Sequence, residues 1–209
     1  MWGPLGAWMY DRSLSGAEAE CLGDWRRELL LGARGDVLEI GAGTGANIAH
    51  YPPSVRRLVL AEPNAGMRAR LKRKLGDRPE VTVIDATAEV IPLPDRAFDV
   101  VVSTMVLCSV DSPGRSLAEV WRVLRPGGCL LFLEHVAAEG RPDRLRWQRL
   151  LEPVWRCMAG NCHLTRHTLD VIAEMGFTLE DARRESIRKV PGVVRPSIRG
   201  VARRPLSTA

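Results

Sequence analysis

Short apolar runs recur along the chain and alternate with segments of helical periodicity. Five runs have the length of buried strands and lie at residues 37–40, 58–61, 81–84, 98–103 and 129–133. Apolar residues recur at helical spacing over residues 17–31, 65–75, 117–124, 147–158 and 166–175. Apolar runs of this length, separated by amphipathic helices, predict an α/β fold whose parallel sheet is covered on both faces.

The end of the chain predicts a change of strand direction. The last helix is expected to begin after Thr165 as its N-cap and to end at Gly176, and two runs follow at 178–187 and 197–203. Pro191-Gly192 and Pro196 lie between these two runs and favour a turn. We therefore expect a seven-stranded, doubly wound, mostly parallel sheet that ends in an antiparallel hairpin.

The chain length of 209 residues suits one domain. We expect it to comprise an N-terminal cover and helix over 1–34, a cofactor-binding core over 35–135, a substrate cover with the last helix over 136–176, and the terminal hairpin over 177–209.

The first strand leads directly into a glycine-rich turn. Gly41, Gly43 and Gly45 follow it, and residues 46–51 are expected to begin a helix. Glycine permits a sharp turn and close approach of the backbone to a ligand, and the N–H groups at the start of that helix would face the ligand. Glu62 ends the next run, at the spacing of a carboxylate that binds ribose hydroxyls. This arrangement predicts a nucleoside cofactor.

The glycine motif fits two classes of nucleotide-binding protein. Residues 41–46 match G-x-G-x-x-A, a dinucleotide pattern, and also G-x-G-x-G preceded by the acid Glu39. The dinucleotide interpretation lacks the catalytic residues of a short-chain dehydrogenase, in which a lysine follows a tyrosine by four residues. Neither Tyr10 nor Tyr51 is followed by a lysine at that spacing. The second pattern resembles class I S-adenosylmethionine-dependent methyltransferases, in which this motif holds the methionine end of the cofactor. A glycine-rich turn without a ligand is the remaining alternative.

Further segments extend this resemblance. Residues 86–103 resemble the small-molecule methyltransferase pattern D-A-x-x-L-P-F-x-D-x-x-F-D, aligned on Pro92, Leu93, Asp95, Phe98 and Asp99. The alignment places Thr87-Ala88 where that family usually has Asp-Ala beside adenine, and a neutral hydroxyl is a weaker acceptor than a carboxylate. Asp85 is close enough in sequence to substitute.

The segments EIGAGTGANIAHYPP, VVVSTMVLCSV, EVWRVLRPGG, FLEHVAAE, GNCHLTR and VRPSIRG together resemble the methyltransferase-like family of alkyl thiol S-methyltransferases. The resemblance runs from about Gly35 to Ala202, with matching order and spacing. The chain is expected to lack the N-terminal hydrophobic anchor of the animal enzymes, and its arginine richness would suit a soluble bacterial relative.

The resemblance implies S-adenosylmethionine as cofactor, S-adenosylhomocysteine as product, and direct in-line transfer to a small, hydrophobic acceptor, with a thiol as the leading candidate. It implies that the cofactor is held by Glu39, Gly41, Ala42, Gly43, Gly45, Glu62, Pro63, Thr87, Ala88, Ser103 and Thr104. The expected acceptor pocket is lined by Tyr10, Met105, Leu107, Trp147, Trp155 and Cys162. A phospholipid or small-amine N-methyltransferase and a cofactor-binding regulator without turnover stay open as alternatives.

One histidine is a candidate for the chemistry. Related enzymes often carry histidine after the fourth strand, where this chain has Cys108 and Ser109. His135 instead follows the fifth strand, at the edge where ligands of open α/β sheets bind. It is expected to be either a proton acceptor or a wall residue of the pocket.

Composition argues against several other functions. The chain has no apolar stretch of membrane-spanning length, and MWGPLGAWMY at its start is not a signal peptide; this apolar segment is expected to be a lid, with weak membrane-surface contact as the alternative. The net charge of +5 comes almost entirely from arginine. Because the arginines are scattered without an aromatic stripe, nucleic-acid binding is not expected.

The cysteines indicate a reducing environment. There are five, with no C-x-x-C pair, so we expect free thiols and a cytoplasmic location. Cys157, Cys162, His163 and His167 form C-x₄-C-H-x₃-H, which is not a standard zinc spacing. No metal is therefore expected.

Overall fold

A computed structural model describes residues 4–206, with the side chains of residues 11–206. One seven-stranded sheet has the order β3-β2-β1-β4-β5-β7-β6. The strands are β1 Gly35–Ile40, β2 Val55–Ala61, β3 Val81–Ile84, β4 Phe98–Thr104, β5 Leu124–His135, β6 Thr178–Ser186 and β7 Pro196–Arg203. Strands β1 to β5 pair in parallel, whereas β7 lies antiparallel between β5 and β6. The predicted fold class is confirmed.

Six α-helices accompany the sheet in the described part of the chain. They are α1 Pro4–Ala17, α2 Gly23–Leu30, α3 Ala65–Leu75, α4 Pro113–Val123, α5 Pro142–Met158 and α6 Thr168–Glu174. A π-helical turn, Glu18–Leu22, joins α1 to α2. Asn64 caps α3 by accepting the N–H of Met67 at 3.0 Å, as expected of an N-cap side chain. None of the described helices has the length and apolar character needed to cross a membrane.

The core lies in two layers, one on each face of the sheet. Along β5, Leu130 and Phe132 pack against one layer, and Leu131 and Leu133 pack against the other. This alternation is the period of two expected of a strand. The same period places Glu39 of β1, Thr104 of β4 and His135 of β5 on the face that α2 and α3 cover. Three polar side chains thus share one face near the carboxyl ends of neighbouring strands.

The helix expected after the glycine turn is absent. Residues 46–51 contain only a single 3₁₀ turn, Ile48–His50. Tyr51 is extended, with φ −68° and ψ 126°, because it precedes Pro52, and a following proline disfavours helical backbone. The prediction of helical N–H groups facing the ligand was therefore wrong.

Two other local expectations differ from the structure. Thr165 does not cap the last helix, which begins at Thr168; its hydroxyl donates instead to the Glu152 carboxylate at 2.5 Å. Strand β5 begins before the apolar run at 129–133, because residues 124–128 form an irregular start with a register shift between Phe98 and Val100 of β4. Gly127 allows this irregularity, because its φ is +78°.

Candidate functional site

A cavity of about 540 Å³ lies at the carboxyl edge of the sheet. It opens where the strand order reverses, between β1 and β4, which is where ligands bind in open α/β sheets. Its volume falls within the range typical of small-molecule sites. Its wall consists of Asp11, Leu14, Glu18, Arg26, Glu39, Gly41, Ala42, Gly43, Thr44, Ala46, Arg70, Lys74 and Thr104.

The three glycines of the turn have positive φ angles of +58°, +57° and +83° in chain order, but they serve different purposes. A Cβ on Gly41 would lie 2.5 Å from Val106, and one on Gly45 would lie 2.4 Å from Ile48. A Cβ on Gly43 would meet only the carbonyl oxygen of Gly41, at 3.9 Å, and Gly43 lines the cavity. Packing therefore requires Gly41 and Gly45, whereas Gly43 keeps space free for a ligand.

The Glu62 carboxylate holds the glycine turn in place. Its two oxygens accept the backbone N–H groups of Gly43 and Asn64, each at 2.8 Å. Burial raises the pKa of Glu62, and these two hydrogen bonds oppose the rise. A carboxylate offers about four acceptor positions, so two are left for ribose hydroxyls. The ribose contact stays a prediction, to which the structure adds a second role in shaping the turn.

A buried polar network forms the inner wall of the cavity. Arg26 of α2 donates to Asn47 at 2.9 Å and to the Thr104 hydroxyl at 2.7 Å. Asn47 and Tyr51 donate to the two oxygens of Glu39 at 2.9 Å and 2.7 Å. The network joins β1, β4, α2 and the glycine turn, and it is rigid because each member is bonded to others.

Glu39 is the most perturbed acid of this network. Burial raises its pKa to about 7, although its hydrogen bonds with Tyr51 and Asn47 and the charge of Arg26 act in the opposite direction. A cationic ligand group placed beside Glu39 would favour the carboxylate form. The α-ammonium group of an amino acid has this charge, so Glu39 suits the methionine end of the expected cofactor.

Helix α1 lies against the outer wall of the cavity. Asp11 accepts the hydroxyl of Thr44 at 2.6 Å and forms an ion pair with Arg70 of α3 at 3.0 Å. Lys74 of α3 donates to the carbonyl of Gly45 at 2.7 Å. Helix α1 thus contacts the glycine turn, and its role as a cover stays a prediction. The side chains of Tyr10 and the apolar residues before it lie outside the described residues.

The predicted cofactor-binding residues fall into two groups. Glu39, Gly41, Ala42, Gly43 and Thr104 line the cavity. The others lie outside its wall as the structure describes it: Gly45, Glu62, Pro63, Thr87, Ala88 and Ser103.

Ser103 is one of the predicted cofactor-binding residues that lie outside the cavity wall, and it is not accessible from the cavity. Its side chain is fully buried and donates to Glu134 at 2.7 Å. Glu134 also accepts the N–H groups of Val106 and Cys108, at 3.1 Å and 3.3 Å. Burial raises the pKa of Glu134, while these hydrogen bonds favour its charged form. Ser103 therefore helps to hold the turn after β4 rather than facing the cavity.

The predicted acceptor residues after β4 lie in different environments. Met105 is partly buried on the face of the cavity and has φ +60°, an uncommon conformation for a side chain of its size. Leu107 is fully buried in the opposite core layer. The turn after β4 directs this apolar side chain into the core, and the place of Leu107 in an acceptor pocket stays a prediction.

Trp147 lies at the surface, on helix α5. It is 57% exposed, and it shares the outer face of α5 with Leu150, Val154 and Met158, which are 61–68% exposed. The inner face carries Gln148, whose amide accepts the Ala138 N–H at 2.7 Å. This contact keeps Gln148 on the inner side of α5 and leaves the apolar face outward, and the place of Trp147 in an acceptor pocket stays a prediction.

His135, Cys162 and Trp155 do come together. The sulfur of Cys162 lies 3.8 Å from Nδ1 of His135, and the other ring nitrogen lies 3.5 Å from the Val193 carbonyl oxygen. The indole nitrogen of Trp155 is buried and has no hydrogen-bond partner. Both ring nitrogens of His135 are therefore engaged, and the histidine is 2% exposed. Sequence reasoning named all three residues but not their contact.

The candidate metal ligands are dispersed among other partners. His163 pairs with Glu152 at 3.2 Å and His167 with Glu139 at 2.7 Å, while Cys157 is exposed. Among the described side chains, the one group close enough to share an ion is Glu139, His167 and Asp170, on the surface. Glu139 is also paired with Arg184. The absence of a metal stays a prediction.

Sequence reasoning missed Arg26 and Asn47. Arg26 is 3% exposed, although it is charged. A signal for it exists, because Arg26 lies four residues after Leu22 and three before Leu29, on the apolar face of the expected helix. A charged residue on such a face requires buried partners. Asn47 had no comparable signal, since the segment around it was expected to be helical.

Comparisons with known proteins agree with this geometry. Residues 38–132 match a family model described as a methyltransferase domain. Human thiol S-methyltransferase TMT1A is 36% identical over 170 residues, which cover 79% of this chain and 69% of that protein. Rat thiol S-methyltransferase TMT1B is 40% identical over 146 residues, which cover 68% of this chain and 59% of that protein. The chain thus spans less than two thirds of the rat relative.

Solved structures resemble the fold. A putative methyltransferase from Bacillus halodurans C-125 has a TM-score of 0.70 at 18% identity, with 88% of this chain and 100% of that chain covered. The [4+2]-cyclase SpnF has a TM-score of 0.68 at 20% identity, with 89% of this chain and 80% of that chain covered. At these identities the likeness concerns the fold alone.

Proposed function

The chain belongs to the class I S-adenosylmethionine-dependent methyltransferases, and on that premise we propose that its methyl acceptor is a small apolar thiol. The relatives named thiol S-methyltransferases support this choice, at 36% and 40% identity. The observation that carries it is the engagement of both ring nitrogens of His135, by Cys162 and by the Val193 carbonyl.

Without a free base, the acceptor has to ionise unaided. A free thiol has a pKa near 8.5, so a few per cent is thiolate at neutral pH, whereas an alkyl ammonium with a pKa near 10.4 is almost wholly protonated. Glu134, the buried acid at the end of β5, is engaged by Ser103 and by backbone N–H groups. It is therefore not available to remove a proton from an amine. A thiol suits this site best.

The residues of the chain would then act by binding and orientation. The cofactor supplies an electrophilic methyl group on a sulfonium centre. Glu39 and Arg26 carry opposite charges and line one cavity, so they fit the amino and carboxylate groups of its methionine end; Arg26 is also paired with Glu18 at 3.1 Å. Gly43 lets the backbone approach the ligand. Met105 and Trp155 supply apolar surface that shields the acceptor sulfur from water.

An acceptor panel tests the proposal. The chain is incubated with S-adenosylmethionine and alkyl thiols, aryl thiols, phosphatidylethanolamine or small amines, and methylated products are identified by mass spectrometry. We expect thioethers, with a rate at low thiol concentration that rises as the pH approaches the pKa of the thiol. Methylation of a lipid or an amine, with no thiol turned over, would show that the chain is an N-methyltransferase instead.

The same assay measures the role of His135. His135→Ala should slow transfer by less than the roughly 10²–10⁴-fold expected for loss of an obligatory general base. A larger loss, with cofactor binding and thermal unfolding unchanged, would contradict the view that the acceptor ionises unaided.

A further inference from the structure

The sulfur of Cys162 lies among hydrogen-bond donors. Nδ1 of His135 is 3.8 Å away. The indole N–H of Trp155 is buried without a hydrogen-bond partner, and Trp155 is among the groups that lower the pKa of Cys162. The Cys108 thiol, which is 2% exposed, interacts with it as well. A buried N–H without a partner favours a negative charge beside it, because that charge replaces its lost hydrogen bond.

The protonation of His135 follows from its other contact. Its Nε2 faces the Val193 carbonyl oxygen at 3.5 Å, and a carbonyl can only accept. This contact assigns a hydrogen to Nε2, and Nδ1 is the ring nitrogen that faces the Cys162 sulfur. A cysteine beside a histidine that a third group orients is the arrangement of an activated nucleophile.

The surroundings shift the pKa values of Cys162 and Cys108. The hydrogen bond from Cys108 lowers the pKa of Cys162 most, burial opposes this, and His135 and Trp155 lower it further. The neighbouring Cys162 raises the pKa of Cys108, and burial raises it further. The shifts of the two cysteines are opposite in direction, and the lower pKa belongs to Cys162, the cysteine beside His135.

The backbone keeps this geometry in place. The N–H of His163 donates to the Cys108 carbonyl at 2.8 Å, and the Asn161 side chain donates to the Ser109 carbonyl at 3.0 Å. Arg166 donates to the Leu107 carbonyl at 2.5 Å. Three contacts therefore join the segment that carries Cys162 to the turn that carries Cys108.

We propose that Cys162 is a thiolate paired with the imidazolium of His135, and that it is a site of covalent modification by soft electrophiles. With iodoacetamide, an electron pair of the sulfur forms the new S–C bond, the C–I bond breaks, and iodide leaves. No proton is released, because the sulfur is already ionised. The site goes beyond the proposed function and does not depend on which acceptor is methylated.

The chain contains its own control. Cys157 is exposed, whereas Cys21, Cys108 and Cys129 are buried. In the folded protein, iodoacetamide should therefore reach Cys157 and the partly exposed Cys162, while the three buried cysteines react slowly. Peptide mass spectrometry after short exposures gives the alkylation rate of each cysteine in one sample.

The pH dependence of these rates tests the proposal. An ordinary thiol with a pKa near 8.5 gains roughly 75-fold in thiolate between pH 6 and pH 8, so the Cys157 rate should rise by about that factor. The Cys162 rate should change less than about twofold over the same range. The two cysteines are compared by the pH dependence of their rates and not by the absolute rates, because a thiolate of low pKa is also intrinsically less nucleophilic. A Cys162 profile parallel to that of Cys157 would overturn the proposal.

Two variants distinguish the effect of His135 on Cys162 from the effect of Trp155. His135→Asn should convert the Cys162 profile to that of an ordinary thiol, and Trp155→Phe should shift it part of the way. Should His135→Asn fail to fold, the decisive measurement is thiolate absorbance at pH 6 in the parent protein, which should exceed that of Cys162→Ser by one thiolate. Equal absorbance would overturn the proposal. Neither experiment uses a methyl acceptor, so its failure is distinct from failure of the thiol assignment.

Discussion

Replacing Gly43 by alanine tests whether the glycine turn contacts the cofactor, with only a small effect on folding. Gly43 has φ +57°, and a Cβ built there would have the Gly41 oxygen, at 3.9 Å, as its nearest neighbour. Left-handed backbone costs an alanine about 1 kcal/mol, and no protein atom resists the new methyl group. We therefore expect Gly43→Ala to fold, with a decrease in melting temperature of about 2–4 °C.

The effect of Gly43→Ala on binding should be larger than its effect on stability. The new methyl group would project toward the cavity that Gly43 lines. An extra methyl group in a filled site costs about 1–3 kcal/mol, which weakens affinity roughly 5- to 150-fold. Isothermal titration with S-adenosylhomocysteine measures this change. Unchanged affinity would refute the interpretation that the glycine turn lies directly against the cofactor.

Two other glycines calibrate the experiment. Gly140 lies in the loop between β5 and α5 with φ +73°, and a Cβ added there would have no other atom within 4 Å. Gly140→Ala should lose similar stability and keep full affinity. A Cβ on Gly45 would lie 2.4 Å from Ile48 and 2.8 Å from Leu71. Gly45→Ala should therefore destabilise the fold more than Gly43→Ala does.

Three further predictions follow from the site and its surroundings. Because burial raises the pKa of Glu39 to about 7 from 4.5, its stabilising contribution is complete below pH 4.5 and is lost as the pH rises through 7. Urea unfolding of the parent should show this loss, of up to about 3 kcal/mol, and Glu39→Gln should lack it. Trp147→Ser should change the melting temperature and the transfer rate little, since Trp147 is 57% exposed. A tenfold loss of rate would indicate that Trp147 lines the acceptor pocket. Elemental analysis of untagged protein should find substoichiometric zinc, and one zinc per chain, lost in His167→Ala, would contradict that expectation.

The sheet could be predicted because its strands are buried on both faces. A buried strand has to be apolar throughout, so its limits are visible as a change in composition. The observed bounds of β3 and α3 coincide with the sequence prediction, since turn-forming residues such as Asn64 and Gly76 border α3. The cavity followed from the same logic, because its position depends on strand order and on the glycine turn.

The orientation of α5 could not be predicted from its periodicity. The helical pattern identified an apolar face, and burial of that face was the natural expectation. Gln148 reverses the arrangement, because its side chain accepts the Ala138 N–H and donates to the Val193 carbonyl at 2.9 Å. Those partners are backbone groups outside the helix, 10 and 45 residues away in the chain, and the periodicity of the helix does not indicate them.

The buried network around Arg26 was missed for a related reason. Its ion-pair partner Glu18 lies eight residues away, but its other partners, Asn47 and Thr104, lie 21 and 78 residues away in the chain. Periodicity can show that a charged residue occupies an apolar face, but the complete set of partners that makes its burial tolerable is known only from the fold. The contact between His135 and Cys162, 27 residues apart, was inaccessible in the same way.

Transfer to an acceptor that carries both a thiol and an amine tests the central claim most directly. 4-(Aminomethyl)benzenethiol offers both groups on one apolar ring, so differences in binding between separate acceptors are removed. The chain is incubated with this compound and methyl-deuterated S-adenosylmethionine, and tandem mass spectrometry locates the label. We expect the label on sulfur alone, with one S-adenosylhomocysteine formed for each thioether. Label on nitrogen, with none on sulfur, would contradict the account.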